Sequence, residues 1–132
     1  MRQGFSLVEM LLALSIMVLL ASFVLPNIQK FQNKSYQMAS EVNLRTFQAC
    51  IENYFLDNNA YPTGGLGANE LYALLKAGDY MGSCPTNPYY KTTYASTQTK
   101  GKIAYASTSG DDYSLTLYGS DGQSAQLVLN KL

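Results

Sequence analysis

No histidine occurs anywhere in the 132 residues. That removes the commonest general base, the serine and cysteine triads built on it, and the usual transition-metal sites. Charge is sparse and falls in no block of one sign, with nine Lys and Arg set against nine Asp and Glu. Neither a sequence-nonspecific nucleic-acid surface nor a polybasic membrane patch is implied. Cysteine is limited to Cys50 and Cys84. Their spacing fits neither a C-x-x-C redox motif nor a four-ligand zinc site, which leaves one disulfide or two unpaired, buried small apolar side chains. If the soluble part lies outside the cytoplasm, closing that loop contributes about 3 to 4 kcal/mol by the chain-entropy model. Glycine, finally, is missing between Gly4 and Gly64.

What the chain does have is a long apolar run. Phe5 to Leu25 spans about 31 Å as a helix, close to the roughly 30 Å hydrocarbon thickness of a bilayer. Its polar residues are Ser6, Glu9, Ser15 and Ser22. A serine hydroxyl can bond back to its own helix, so the serines cost little. Glu9 is different, since a carboxylate at the centre of an inserted helix costs about 2.5 to 3.5 kcal/mol and usually marks a function or a partner. A secretory signal peptide fits poorly, because its apolar region runs only about 7 to 15 residues and ends in an A-x-A-like site. A plain anchor whose Glu9 snorkels to the interface is the other simple alternative. The rest of the chain has room for one small domain.

The stretch "GFSLVEMLLALSIMVLLASFVLP", Gly4 to Pro26, resembles the class III leader and amino-terminal helix of type IV pilins and of the related type II secretion pseudopilins. The short basic leader Met1 to Gly4, the aromatic Phe5, Glu9 four residues beyond it, and Pro26 carry the likeness. The resemblance implies that a prepilin peptidase cuts between Gly4 and Phe5 and that Phe5 becomes the N-methylated first residue. It also implies that Glu9 pairs with the amino terminus of a neighbouring subunit, fixing register more than adding strength. Many members carry a glycine where this chain has Val18. Softening of the helix before Pro26 then rests on Ser15, Ser22 and the hydrogen bond that Pro26 cannot make.

Beyond Pro26 the helical period continues through Leu44, Phe47, Ile51, Tyr54 and Phe55, with Met38 and Val42 one to two turns earlier, giving a face to pack against. Cys50 can point to the same side. The turn residues of "DNNAYPTGG" end the helix near Asp57. "ANELYALLKAGDYM" predicts a short helix with Asn69 as cap and Gly78 as stop. Strands are expected over Tyr90 to Thr97, Lys102 to Ser107, Tyr113 to Tyr118 and Ala125 to Asn130. In the third of these, Tyr113, Leu115 and Leu117 alternate with Ser114, Thr116 and Tyr118, predicting one buried face.

The expected fold is therefore α+β, a long helix, transmembrane in its first half and amphipathic in its second, packed on a small antiparallel head. Its parts are a leader (1–4), the helix (5–57, with 5–25 as membrane and assembly segment) and the head (58–132). "YPTGGLGANELYALLKAGDYM" and "NPYYKTTY" are similar in order to the major pseudopilins of type II secretion. That likeness implies loop calcium, for which Asp111, Asp112 and Asp121 are the candidates. Turns such as "GDD" and "SDG" also need aspartate for backbone reasons alone. No other cofactor is expected. No motif places a nucleophile beside a base, so no enzyme is expected. The functional expectation is a self-assembling filament subunit, first a major type IV pilin and alternatively a pseudopilin of a secretion or DNA-uptake machine. A precursor spanning the inner membrane once would meet the prepilin peptidase and an inner-membrane assembly platform, then enter an extracellular pilus or a periplasmic pseudopilus. A membrane-anchored periplasmic binding module, which would not polymerise, is the rival from another class.

Overall fold

The computed structural model describes Gly4 and residues 6–132, apart from the side chains at positions 25 and 26. Helix α1 runs over Leu7–Asn58. The chain divides into two compact units, Met1–Lys34 and Ser35–Leu132. In the first unit the commonest residue is Leu, a strong helix former that loses little rotamer freedom in a helix, and no glycine interrupts it after Gly4. Ser15 Oγ donates to the Leu11 carbonyl at 2.8 Å and Ser22 Oγ to the Leu19 carbonyl at 2.7 Å, so both hydroxyls are satisfied inside the helix. The helix stays unbroken at position 26, and just after it Asn27 Nδ2 donates to the Phe23 carbonyl at 3.2 Å. This part of α1 is long and apolar enough to cross a membrane.

In the second unit α1 presents Leu44, Phe47 and Ile51, all fully buried, to the head. Met38 and Val42 do not share that face, contrary to the periodic reading: they are 59% and 63% exposed. The reason is angular, since at 3.6 residues per turn position 42 falls about 160° from position 44. The helix stops where Asn59 takes a left-handed conformation (φ 52) and its amide bonds the Phe55 carbonyl at 2.8 Å. Asparagine tolerates that geometry better than most residues.

The head follows as β1 (Gly64–Gly67), α2 (Ala68–Ala77), β2 (Thr86–Asn87), β3 (Thr92–Thr93), β4 (Ile103–Ser107), β5 (Ser114–Tyr118) and β6 (Ala125–Asn130). Four strands form one antiparallel sheet in the order β1-β4-β5-β6, and β2 pairs separately with β3. Two expectations need correction. The glycine run "GGLG", which looks like a turn, is an edge strand paired Gly64↔Ser107 through Gly67↔Ala104. Backbone pairing needs no side chain, so a glycine run can serve an edge where the propensity signal is absent. The strand expected over Tyr90 to Thr97 stays out of the main sheet, because that segment folds back on a buried amide pair. Asn87 Nδ2 donates to Gln98 Oε1 and to the Lys100 carbonyl, both at 3.0 Å, and Gln98 Nε2 donates to Thr92 Oγ1 and the Thr93 carbonyl.

Helix α2 begins one residue before the expected cap. Gly67 is the cap residue, and Glu70 reaches back to its amide at 2.9 Å, satisfying a donor that the helix itself leaves free. Leu71 and Leu75 of α2, Ile103 and Tyr105 of β4, and Tyr113, Leu115 and Leu117 leading into and along β5 complete the core over α1. Burying each such side chain is worth about 1.5 to 3 kcal/mol. The fold is α+β and pilin-like, a long helix packed on a small antiparallel sheet.

Candidate assembly site

The first turn of α1 holds the one charge of the apolar run. Ser6 precedes the helix and Glu9 is its third residue, so the carboxylate can fold back onto the free amides at the amino-terminal end. It does so: the Ser6 amide donates to Glu9 Oε2 at 3.0 Å. The sequence signal for this was present in "SLVE", a serine followed three residues later by glutamate at the head of an apolar run. Acidic charge at this end also suits the helix dipole. Glu9 is exposed, and so is every described side chain from Leu7 to Val24, including Leu7 at 75%, Leu12 at 63% and Phe23 at 72%. A helix that is apolar on all sides and uncovered in its own chain calls for lipid or for other protein.

Gly4 is exposed, and a Cβ placed on it would meet nothing within 4 Å, so this fold makes no demand for glycine there. Phe5, the expected methylated residue, and the Pro26 side chain lie outside the described residues. The site residues named from sequence are thus seen only in part, with Gly4 and Glu9 at the start of α1.

The other candidates lie apart. Asp111 and Asp112 sit in the turn before β5 and Asp121 in the turn after it. A five-residue strand separates the two turns by roughly 17 Å, too far to share an ion. Among the described residues no cluster of three His, Cys, Asp or Glu side chains could hold a metal. Asp121 serves its own turn, whereas Asp111 and Asp112 accept through their backbone carbonyls. Asp121 Oδ1 accepts from the amides of Gln123 (3.1 Å) and Ser124 (3.0 Å), and its other oxygen meets the Ser124 hydroxyl. The Ser124 hydroxyl, followed by those amides, holds the carboxyl below its usual range. Lys131 Nζ donates to the Asp111 carbonyl at 3.0 Å.

The expected disulfide is not formed. Cys50 and Cys84 are free thiols, both half-buried against the core, where they pack as small apolar groups. Burial pushes both thiols up, which keeps them in the unreactive protonated form.

A polar centre that the sequence did not reveal is Glu52. Its two oxygens accept hydrogen bonds from the Tyr61 hydroxyl at 2.9 Å and the Tyr113 hydroxyl at 2.7 Å. Both rings are almost fully buried, and they meet edge to face at 4.7 Å between centroids. Burial first, and the carboxylate second, push the Tyr61 phenol up to about 12 and raise that of Tyr113 as well. Tyr113 is 61 positions from Glu52, and nothing local marks the pair.

Comparison with known proteins agrees with this layout. Residues 1–25 match the family model "Prokaryotic N-terminal methylation motif" and residues 27–128 match "Type II secretion system (T2SS), protein G". The type II secretion system core protein G of Vibrio cholerae is 30% identical over 129 residues, covering 91% of this chain and 82% of its own. The protein of the same name from Aeromonas hydrophila is 33% identical over 70 residues, 53% of this chain and 49% of its own. The type IV major pilin protein PilA of Myxococcus xanthus is 30% identical over 59 residues, 45% of this chain and 27% of its own. No solved structure gives a significant match. With its methylation motif, its uncovered apolar helix and a head matched almost from end to end, the chain belongs to the protein G family of type II secretion systems, a family of filament subunits related to type IV pilins.

Proposed function

We propose that this chain is the major pseudopilin of a type II secretion system, a structural subunit without enzymatic activity. The observation that carries this is the family match over residues 27–128, joined to an amino-terminal helix left uncovered by its own chain. In this account the precursor is held in the inner membrane by α1 and is cut after Gly4 by a prepilin peptidase. Phe5 is then methylated, and an inner-membrane platform passes the subunit into a periplasmic filament.

Burial of the apolar helix supplies the drive for assembly. Glu9 supplies register: its Oε2 is held by Ser6, which leaves its second oxygen to pair with the amine that cleavage creates on Phe5 of a neighbour. Each charge is costly alone among apolar side chains and less costly paired, so the pair selects one alignment of subunits. Deleting the gene is expected to leave secreted proteins trapped in the periplasm, with release restored by the unaltered gene. Normal secretion in the deletion strain, with loss of a surface fibre, would instead establish the surface pilus, which the likeness to the Myxococcus pilin favours as second reading.

A further inference from the structure

Just beyond the apolar run, α1 changes surface. Residues 27–34 read "NIQKFQNK", with two lysines, four side-chain amides and no acid, and all of them are exposed. They belong to the same compact unit as the apolar run. Asn27, Lys30, Phe31 and Lys34 follow spacings of three and four, so they share about 100° of arc on one face. On that face Phe31, 75% exposed, lies between Lys30 and Lys34. No acid occurs between Glu9 and Glu41, so neither lysine has a partner one turn away on the helix, and the two repel each other. The balance of charge over the whole chain conceals this local excess.

We propose that this collar binds the headgroups of anionic phospholipid at the periplasmic face of the inner membrane, with Lys30 and Lys34 on lipid phosphate and Phe31 seated at the lipid boundary. The proposal rests on the membrane-held precursor of the proposed function and deepens it. Three features select lipid as the occupant. The first is continuity, because the collar follows directly on residues 7–24, which are exposed and almost wholly apolar. The second is length. Glu9 and Lys30 are about 32 Å apart along the helix with no charge between them, close to the roughly 30 Å hydrocarbon thickness. With Lys30 at the periplasmic boundary, Glu9 reaches the cytoplasmic one, where a carboxylate costs less than at the bilayer centre. Lys34 stands about 6 Å further out, within the headgroup layer. The third is chemistry. Ammonium and amide N–H groups are donors that phosphate oxygens accept, an aromatic ring suits the headgroup boundary, and the collar has no carboxylate to repel the phosphate. Two unpaired ammonium groups favour a lipid of net negative charge, each by about fivefold.

The test uses the full chain, purified in detergent and mixed with equal amounts of phosphatidylglycerol and phosphatidylcholine, with bound lipid counted by native mass spectrometry. Phosphatidylglycerol adducts are expected to outnumber phosphatidylcholine adducts by about fivefold or more. Lys30→Gln combined with Lys34→Gln should bring the ratio to about one. Lys30→Arg with Lys34→Arg should keep the preference, as should the head pair Lys76→Gln with Lys91→Gln. Equal binding of the two lipids by the unaltered chain, or a ratio unmoved by the two collar glutamines, overturns the lipid site. If those glutamines leave lipid binding as it was but lower filament yield, the lipid site is likewise overturned and the collar is assigned to an acidic protein surface. Release of the unaltered chain from cell membranes by alkaline carbonate would overturn the membrane-held precursor itself.

Discussion

At the scale of single residues, two carboxylates organise the molecule in different ways. Glu9 lies in an apolar helix and faces outward, with one oxygen on its own helix end. Replacing it with Ala should leave the protein inserted and processed but poorly assembled, as read from sheared filament yield. A normal yield would refute the register role. Glu52 works within the head by accepting two buried phenols. Hydrogen bonds to a charged group contribute about 1.5 to 3 kcal/mol each, so Glu52→Ala should lower head stability by about 3 kcal/mol in urea unfolding of the detergent-solubilised chain. A loss below about 1 kcal/mol would mean that water replaces the carboxylate. Glu9 was legible in the sequence, because its spacing from Phe5 and its apolar setting are local. Glu52 was not, since its partners are brought to it only by packing.

At the scale of elements, the sequence read helices better than strands. The turn of α1 at Asn59 and the stop of α2 at Gly78 follow from local backbone chemistry, and the alternation in β5 appears as Tyr113, Leu115 and Leu117 buried beside half-exposed Ser114, Thr116 and Tyr118. Misplaced features were those decided by tertiary partners. Met38 and Val42 are apolar but turn away from the head, and β1 has no side-chain signal at all. The segment between β2 and β4 is shaped by Asn87, fully buried with three hydrogen bonds to its side chain. Asn87→Asp removes both donors and sets a carboxylate against two acceptor oxygens. It should cost about 3 kcal/mol and expose residues 88–100 to limited proteolysis. Digestion no faster than in the unaltered chain would contradict that assignment. Leu71→Ala, in the helix that roofs the core, should cost about 2 to 5 kcal/mol in the same unfolding assay.

At the scale of the whole molecule, the head should be sensitive to alkali. Tyr61 and Tyr105 are pushed up to about 12, by burial above all, and Tyr113 is raised with them. A raised acid stabilises the fold fully while the unfolded phenol is still protonated. Its contribution falls as pH climbs past the ordinary value of 10 and is gone above the folded value. Exposed Tyr90, whose phenol is held down by the Thr99 hydroxyl and nearby backbone, ionises without unfolding, so the last phase of the tyrosinate absorbance is the one that should rise together with unfolding between about pH 10 and 12. Completion of the tyrosinate signal before any loss of the far-ultraviolet signal would show that these phenols are not buried in solution.

The proposed function makes the chain a subunit that is complete only among copies of itself: residues 7–24 are exposed on every side, and in that proposal Glu9 gains its counter-charge when the bond following Gly4 is cut. Intact-mass measurement of the chain recovered from sedimented, sheared filaments tests this most directly. The account predicts a single species that begins at Phe5 and carries one methyl group on its amine. A chain that retains Met1 to Gly4, found only in the membrane and never in a sedimenting filament, would contradict it.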